Sequence, residues 1–321
     1  MWISPYKYYK YVLSLGHLYS DINQSILSAV LPFLIATYHY DYTTAAMLVT
    51  VSNVFGAFVQ PFIGMLSDNK NKLLYMTLGV LLASGGMAVT GFISNFFGLC
   101  IVVIISGIGV VMFHPQAAKL INSVSSKNAK GKGMSIFSFG GKVGFTLGPV
   151  YTAFLMNLFG MKGTSLFLIP GIVFGIVCSF FDKDFENLDV LEVEKKEKVK
   201  SEQKDDWSGF IKLCGVVFSR SILSNGISTF LAFYFIQQFS KSNSFASMLL
   251  SIFYGIGSIT LLGGGIADCF GHRKMVRLSF CIFLPAIFIF TNTSHFVIAL
   301  IMLIFMTCGE SLSYSPMVVL G

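Results

Sequence analysis

Long apolar runs separated by short polar stretches make up most of the 321-residue chain. A helix needs about 20 residues to cross the hydrocarbon core of a bilayer, and ten of the apolar runs approach that length. They lie at approximately 11–37, 45–66, 73–92, 96–118, 133–158, 164–181, 208–237, 246–266, 275–291 and 297–319. The pattern therefore predicts an all-α polytopic membrane protein.

Composition agrees with this prediction and narrows the class of protein. Hydrophobic residues make up 54% of the chain and charged residues only 12%, a balance outside the range of soluble globular proteins. The six cysteines are scattered without paired spacing, so we expect neither a metal site nor a disulfide framework. No pairing of a nucleophile with a base stands out, and we expect neither an enzyme nor a bound cofactor.

Lysine and arginine residues are distributed unevenly over the predicted loops. If the N-terminus lies in the cytoplasm, the outer loops keep only Lys162 and Lys241, and Lys142 and Arg220 fall inside spans. The rest of the 22 cations then lie on the inner side, as is usual for cytoplasmic loops. We therefore predict a cytoplasmic N-terminus. The net charge of +7 follows from this topology and does not support nucleic-acid binding.

The stretch 182–206 is the clearest boundary in the chain. It holds ten of the fifteen acidic residues together with several lysines, and such a segment cannot bury enough apolar surface to form a core. We predict a cytoplasmic charged linker at 182–206 between an N-terminal six-helix bundle, 1–181, and a C-terminal bundle of four helices, 207–321. If the two halves are homologous, the second is two helices short, and we expect a C-terminally incomplete bundle.

A short box occurs twice, 200 residues apart. The first copy runs from Gly64 through Asp68 to Lys72, and the second from Gly264 through Asp268 to Arg273. Each copy follows a long apolar run and leads into a cationic cluster. A repeat with this spacing in an apolar chain predicts two homologous membrane halves, an architecture that secondary transporters use.

Few ionisable residues fall inside the predicted spans, where a charge is costly and is a candidate for function. In the first span His17 and Asp21 are four residues apart, on one helical face close to Gln24. An imidazole beside a carboxylate can take up and release a proton, which makes this pair the best candidate for proton coupling. The alternative is a structural hydrogen-bonded pair that fixes helix packing.

Three further charged residues lie inside later spans. Arg220 either extends to the membrane interface, neutralises Glu310 or binds an anionic substrate, for which its guanidinium is suited. Glu310 lies about fourteen residues into its span and must be paired, hydrated or neutral; a neutral carboxyl hydrogen-bonded between helices is the simpler interpretation. Lys142 lies about ten residues into its span, so that a small shift of the boundary would place it near the surface.

Two motifs containing proline complete the set. His114-Pro115 ends an apolar run, where proline is expected to kink or end the helix and leave the histidine available for ligand or proton handling. The fifth span contains closely spaced glycines followed by proline, which favour the close approach of another helix. These residues are Gly140, Gly141, Gly144, Gly148 and Pro149.

The repeated box resembles the signature of the major facilitator superfamily, whose fold is twelve helices in two six-helix bundles around a central cavity. Other stretches resemble more narrowly the fosmidomycin resistance family of bacterial efflux transporters. They are Gly16-His17-x3-Asp21-x2-Gln24-Ser25, Leu31-Pro32, Gln60-Pro61-x2-Gly64, Phe113-His114-Pro115 and the segment from Met134 to Pro149. The similarity covers all ten predicted spans and is strongest in the first six.

The resemblance implies two pseudo-symmetric bundles with about ten of the usual twelve helices. It also implies proton-driven export of a small anionic compound or drug across the bacterial inner membrane by alternating access. His17, Asp21, Gln24 and His114 fall on family-like positions, and Asp68 and Asp268 fall on the gating box. The chain departs from the pattern at Asn71, where the first box usually has glycine, and at Lys142, where an uncharged polar residue is expected.

We expect a monomer whose partners are the lipid bilayer and a small-molecule substrate, driven by a proton gradient. Two alternatives stay open at this point. One is an importer or facilitator of a small metabolite with the same fold, because gradients and the relative affinities of the states set the direction of transport. The other is an inactive remnant, because two helices that would line the second half are not in the sequence.

Overall fold

The computed structural model describes residues 8–66, 72–124, 130–180, 207–259 and 270–312. The chain divides into two compact units, Met1–Val199 and Lys200–Gly321. The predicted linker 182–206 lies outside the described residues, so its boundaries stay a prediction.

The described part of the first unit contains six α-helices. They are α1 (Tyr9–Tyr38), α2 (Tyr42–Leu66), α3 (Lys72–Val89), α4 (Phe96–Val124), α5 (Lys130–Phe159) and α6 (Leu168–Ser179). A single 3₁₀ turn at Thr90–Phe92 follows α3, and a longer 3₁₀ segment, Gly160–Phe167, joins α5 to α6.

The described part of the second unit contains four α-helices. They are α7 (Trp207–Phe239), α8 (Asn243–Ile259), α9 (His272–Asn292) and α10 (Phe296–Leu312). Among the described residues of both units, seven stretches are long and apolar enough to cross a membrane, and one of these contains both α5 and α6. α10 is a shorter apolar helix.

Each of the ten α-helices named above lies at one of the ten predicted spans, of which 246–266 and 297–319 run on beyond the described residues. Two differences of local structure are present. The sixth span was expected to begin at 164, but residues 160–167 form the 3₁₀ segment and α6 begins at Leu168. There, the Thr164 hydroxyl donates to the carbonyl of Met161, a local bond that competes with helical pairing. The second difference concerns Pro115: the helix does not end there, because α4 continues through it to Val124.

The loop between α1 and α2 is fixed by a helix cap. Oδ1 of Asp41 accepts a hydrogen bond of 2.7 Å from the backbone amide of Thr44, the arrangement of an N-cap residue at the start of α2. Hydrogen bonds from the Thr44 side chain and backbone lower the pKa of the Asp41 carboxyl. The cap therefore stays ionised at neutral pH and is lost only as the pH falls through that lowered pKa.

α1 is the central helix of the first unit and is buried along most of its length. Its residue Leu13 is fully buried with Phe113 of α4 and Phe174 of α6 in one core. A Cβ atom at Gly16 would stand 2.6 Å from the Phe174 ring and 2.7 Å from the Phe113 ring. Because lipid tails are as apolar as the core, such close packing, rather than exclusion from water, holds these helices together.

The second unit has an aromatic core at one end. Phe235 of α7 is fully buried and contacts the rings of Phe290 on α9 and Phe296 on α10. The hydroxyl of Tyr234 donates to the carbonyl of Phe290 over 2.6 Å. Lys241, just beyond α7, places its Nζ 4.2 Å from the centroid of the Phe296 ring, a cation–π contact that ties this loop to the core.

Candidate functional site

His17 and Asp21 form the centre of a buried polar cluster in the first unit. One helical turn of α1 separates them, and Nε2 of His17 lies 3.2 Å from Oδ2 of Asp21. The Asp21 side chain is 5% exposed and the His17 side chain 14% exposed. This is the pair that the spacing of the sequence singled out, and the structure places both groups inside the helical bundle.

His114 of α4 is the third member of the cluster. Its Nε2 lies 3.3 Å from Oδ1 of Asp21, and its ring stands edge-on to the His17 ring with centroids 5.1 Å apart. The His114 side chain is 32% exposed and gives the cluster an accessible side. The carboxylate of Asp21 therefore lies between two imidazoles, each facing one of its oxygens.

α5 fixes the orientation of the His17 ring. Nδ1 of His17 lies 2.8 Å from the carbonyl oxygen of Phe137, and the Phe137 ring stacks on the imidazole with centroids 4.0 Å apart. A carbonyl oxygen can only accept, so Nδ1 carries the proton and donates it to this bond. In a neutral imidazole Nε2 is then a bare acceptor.

This tautomer has a consequence for the contact between His17 and Asp21. A bare Nε2 facing an ionised carboxylate at 3.2 Å places two acceptors against each other. The contact is favourable only if a proton or another cation lies between them. The geometry of the cluster thus defines a site for one positive charge, held between α1 and α5 and open towards His114.

Two glycines on α5 allow α1 to approach the cluster this closely. A Cβ at Gly141 would stand 2.5 Å from Oδ2 of Asp21 and 2.6 Å from Nε2 of His17, and one at Gly140 would stand 2.2 Å from the carbonyl oxygen of Ser14. The Ser14 hydroxyl donates to the carbonyl of Ile136 over 2.8 Å. The helix contact and the cluster are therefore parts of one interface.

The other residues of the glycine motif lie along the same interface. A Cβ at Gly144 would stand 2.3 Å from the carbonyl oxygen of Leu18, and one at Gly148 would stand 2.0 Å from Oγ of Ser25. Pro149 lies inside α5 without ending it. Lys142, next to Gly141, is half-buried and lies within electrostatic range of His17.

Gln24 does not share the environment of the cluster. It is exposed, whereas Ser25 and Ser28 on the same helix are buried. Asn23, which the sequence analysis did not single out, is buried and its amide donates to the Tyr19 carbonyl over 2.8 Å and to the Ser84 hydroxyl over 2.9 Å. Asn23 thereby joins α1 to α3, the kind of polar contact that fixes helix packing in membranes.

The second unit contains a separate ion pair. Arg220 of α7 donates to Oε1 of Glu310 on α10, and the Ser311 hydroxyl donates to the other carboxylate oxygen over 3.2 Å. The two side chains are 16% and 11% exposed and line a small cavity with Ser279 and Phe283. Of the alternatives raised for Arg220, the structure shows the pairing with Glu310.

The described residues contain only part of the repeated box. Asp68, Gly264 and Asp268 lie outside them. Gly64 lies near the end of α2 with open space where a Cβ would be, Lys72 begins α3, and Arg273 is exposed in the first turn of α9. Just before α9, Gly271 has φ +90°, a conformation that side chains rarely adopt. The gating role of the box stays a prediction.

The cluster of His17, Asp21 and His114 also has the composition of a metal site. One nitrogen or oxygen from each side chain can be chosen so that all three atoms lie within 4.8 Å of one another. The expectation that the chain has no metal site rested on the absence of a local spacing motif. Such reasoning could not bring His114 to the cluster, because it lies on α4, far from His17 in the sequence.

The ten apolar helices of the described residues define a multi-pass membrane protein. The helices of its first unit enclose the ionisable side chains of a polar site. Residues 13–321 match the family model of the Major Facilitator Superfamily, and the chain belongs to this superfamily. The prediction of a major facilitator fold is confirmed, and membership of a superfamily of transporters also confirms that the protein is not an enzyme.

Two bacterial relatives agree with this family membership. The chain is 22% identical over 269 residues to the fosmidomycin resistance protein of Escherichia coli (strain K12), a match that covers 82% of this chain and 66% of that protein. It is 23% identical over 272 residues to the uncharacterized MFS-type transporter YfnC of Bacillus subtilis (strain 168), covering 83% of this chain and 66% of the relative. The matches thus span 66% of the length of these two relatives.

A solved structure shares the fold. It is that of a bacterial homolog to the human lysosomal transporter Spinster, in an inward-facing and occupied conformation. The TM-score is 0.80 at 18% sequence identity, and the match covers 98% of this chain and 74% of that chain. At this identity the similarity shows the fold alone.

Proposed function

We propose that the protein is a secondary active transporter that exports a small anionic compound or drug, of the type of fosmidomycin, in exchange for protons. The observation that carries the proposal is the cluster of His17, Asp21 and His114, whose geometry provides a buried site for one positive charge. A proton is the smallest charge that fits between Nε2 of His17 and Oδ2 of Asp21, which are 3.2 Å apart.

The placement of the cluster favours a coupling role over a purely structural one. A structural pair needs two partners, and Asn23 with Ser84 provides such a bond between α1 and α3. Asp21 instead faces two imidazoles, one of them 32% exposed, so protons have a route to the carboxylate. Burial of an ionisable group inside a transmembrane bundle is costly and marks an ion pathway.

The export of an anionic compound is supported by the resemblance to the fosmidomycin resistance protein of Escherichia coli. In the proposed mechanism, a proton binds at the cluster and the substrate binds in the central cavity expected of a major facilitator fold. The two ligands favour different states of the transporter. The proton gradient is the driving force and no cofactor takes part. We further propose that the protein acts as a monomer in the bacterial inner membrane with its N-terminus in the cytoplasm.

Uptake of fosmidomycin into inverted membrane vesicles tests this function directly. Vesicles carrying the chain are compared with vesicles from an empty vector, each with and without an imposed proton gradient. We expect accumulation that depends on both the chain and the gradient, because inverted vesicles turn export into uptake. Accumulation that is independent of the gradient would contradict proton coupling, and accumulation only in right-side-out vesicles would indicate an importer.

A further inference from the structure

The separations between the ligand atoms of the cluster match those around a bound metal ion. A tetrahedral zinc ion with bonds of about 2.0–2.1 Å keeps its ligand atoms about 3.3 Å apart. Nε2 of His17 lies 3.2 Å from Oδ2 of Asp21, and Nε2 of His114 lies 3.3 Å from Oδ1. Each imidazole nitrogen is therefore already at such a distance from one oxygen of the shared carboxylate.

Because the two contacts use different oxygens of Asp21, His114 must move to bring both nitrogens and the carboxylate around one ion. The ligand atoms of the two histidines and Asp21 all lie within 4.8 Å of one another. His17 and Asp21 are held by the surrounding helices, whereas the His114 side chain is 32% exposed and is the least enclosed of the three ligands. Oδ1 of Asp21 is buried and, within the described part of the chain, makes no hydrogen bond of good geometry. An acceptor of this kind is available to a cation.

The ring of His17 is already set for metal binding. Its Nδ1 donates to the carbonyl of Phe137 over 2.8 Å, which leaves the lone pair of Nε2 directed at the cluster. Histidine ligands are commonly fixed in this way by a hydrogen bond from their other nitrogen to a backbone carbonyl. Lys142 lies within electrostatic range of His17 and is the nearby charge that opposes a cation.

From this geometry we propose that His17, Asp21 and His114 bind one divalent transition-metal ion, such as Zn²⁺, Co²⁺ or Ni²⁺. Two imidazoles and a carboxylate suit these ions better than Mg²⁺ or Ca²⁺, which prefer oxygen ligands alone. The ion would bridge α1 and α4 through their side chains and would occupy the position proposed above for the proton. The inference deepens the proposed function, and only its consequence for transport rests on that function.

Direct titration with Co²⁺ tests the site. The full chain is purified in detergent without a polyhistidine tag, and Co²⁺ is added while its visible ligand-field absorption is recorded. We expect one Co²⁺ per chain, in the absorption range of a low-coordinate nitrogen and oxygen site, and its displacement by Zn²⁺. Removing a residue that only hydrogen-bonds to a metal ligand commonly costs about 10–100-fold in affinity. Loss of a ligand itself, in Asp21→Asn or His114→Ala, should therefore weaken Co²⁺ binding by at least about 10-fold.

Two exposed histidines provide the matched control. His39 and His295 are exposed and lie outside the cluster, so the double variant His39→Ala/His295→Ala should bind Co²⁺ like the unchanged protein. If Asp21→Asn does not fold, His114→Ala decides the matter, because its partly exposed side chain is not part of the packed core. Absence of binding, or binding that both cluster variants retain, would overturn the proposal.

The consequence for transport is measured separately. Zn²⁺ should lower gradient-driven uptake in inverted vesicles, and His114→Ala should reduce this inhibition. Stoichiometric Co²⁺ binding without any gradient-driven uptake would remove the proposed function but leave the metal site. Gradient-driven uptake without Co²⁺ binding would support the proposed function and overturn the metal site.

Discussion

Asp21 is the residue on which the proposed chemistry depends. Its carboxylate is the only acidic group of the cluster, and His17 and His114 face its two oxygens at 3.2 and 3.3 Å. Either imidazole can be lost while the other still pairs with the carboxylate. Without the carboxylate, neither imidazole has an anion to hold a proton or a metal ion against it.

The substitution Asp21→Asn should therefore abolish proton-coupled transport. An amide has nearly the shape of the carboxylate but cannot carry its charge, so insertion and folding should be largely retained. We expect gradient-driven uptake of fosmidomycin into inverted vesicles to fall to the level of the empty vector.

Asp41→Asn is the matched control for this substitution. Asp41 is an exposed residue that caps α2, and asparagine caps a helix about as well as aspartate. Uptake by Asp41→Asn should equal that of the unchanged chain. Full gradient-driven uptake by Asp21→Asn, in protein inserted to the same level, would exclude the cluster from coupling.

The ion pair between Arg220 and Glu310 also makes a residue-level prediction. Both side chains are mostly buried, and removing one partner of a buried pair leaves an uncompensated charge that commonly costs about 3–5 kcal/mol. Arg220→Met should therefore lower the apparent unfolding temperature of the detergent-solubilised protein clearly. The double variant Arg220→Met/Glu310→Gln should recover most of this loss.

A thermal-stability assay on the unchanged protein, Arg220→Met, Glu310→Gln and the double variant forms a double-mutant cycle. Recovery in the double variant shows that the cost of Arg220→Met comes from the charge of Glu310 once its arginine is removed. Equal instability of Arg220→Met and the double variant would mean that the arginine stabilises the second unit through its packing instead.

At the scale of helices, the contact between α1 and α5 positions the candidate site. Ser14 and His17 of α1 bond to consecutive carbonyls of α5, at Ile136 and Phe137. Gly140 and Gly141 remove the side chains that would keep these helices apart. A change in this contact should consequently alter both the stability of the first unit and the cluster.

Gly140→Ala tests this dependence. The new Cβ would stand 2.2 Å from the carbonyl oxygen of Ser14, a backbone atom that cannot turn away, so α1 and α5 must separate. Such overpacking commonly costs about 1–3 kcal/mol, and gradient-driven uptake should fall together with the apparent unfolding temperature.

Gly85→Ala on α3 serves as the control, because the nearest atom to its Cβ would be 4.0 Å away. Alanine is the better helix former by up to about 1 kcal/mol, so this variant should be unchanged or slightly stabilised. Similar melting curves for Gly140→Ala and Gly85→Ala would show that the interface adjusts without cost.

The sequence predicted what depends on local spacing and missed what depends on packing. Contact between His17 and Asp21 follows from the pitch of a helix, and the apolar runs locate all ten helices. His114 was a separate candidate, because its approach to Asp21 depends on how α4 packs against α1. Likewise, spacing placed Gln24 near the polar stripe, but its exposure depends on the neighbouring helices.

At the scale of the whole molecule, the described cations near the helix ends follow one pattern in both compact units. Lys162 and Lys241 follow α5 and α7 in the chain, whereas Arg273, Lys274 and Arg277 lie at the start of α9. Positive charge collects on the cytoplasmic side of membrane proteins. The pattern therefore predicts one orientation for both units, with the loops after α1 and α7 outside the cell.

Labelling with a membrane-impermeant maleimide checks this orientation in a background without the six native cysteines. Asp41→Cys and Lys241→Cys should react in intact cells, because their loops face outward, one in each unit. Lys274→Cys should react only after the membrane is made permeable, because it lies in the first turn of α9, which the predicted topology places on the inner side. The reverse pattern would invert the proposed topology, and with it the vesicle orientation in which export appears as uptake. Opposite accessibility of Asp41→Cys and Lys241→Cys would instead mean that the two units are inserted with opposite orientations. A major facilitator fold does not allow this arrangement, because both of its six-helix halves begin on the same side of the membrane.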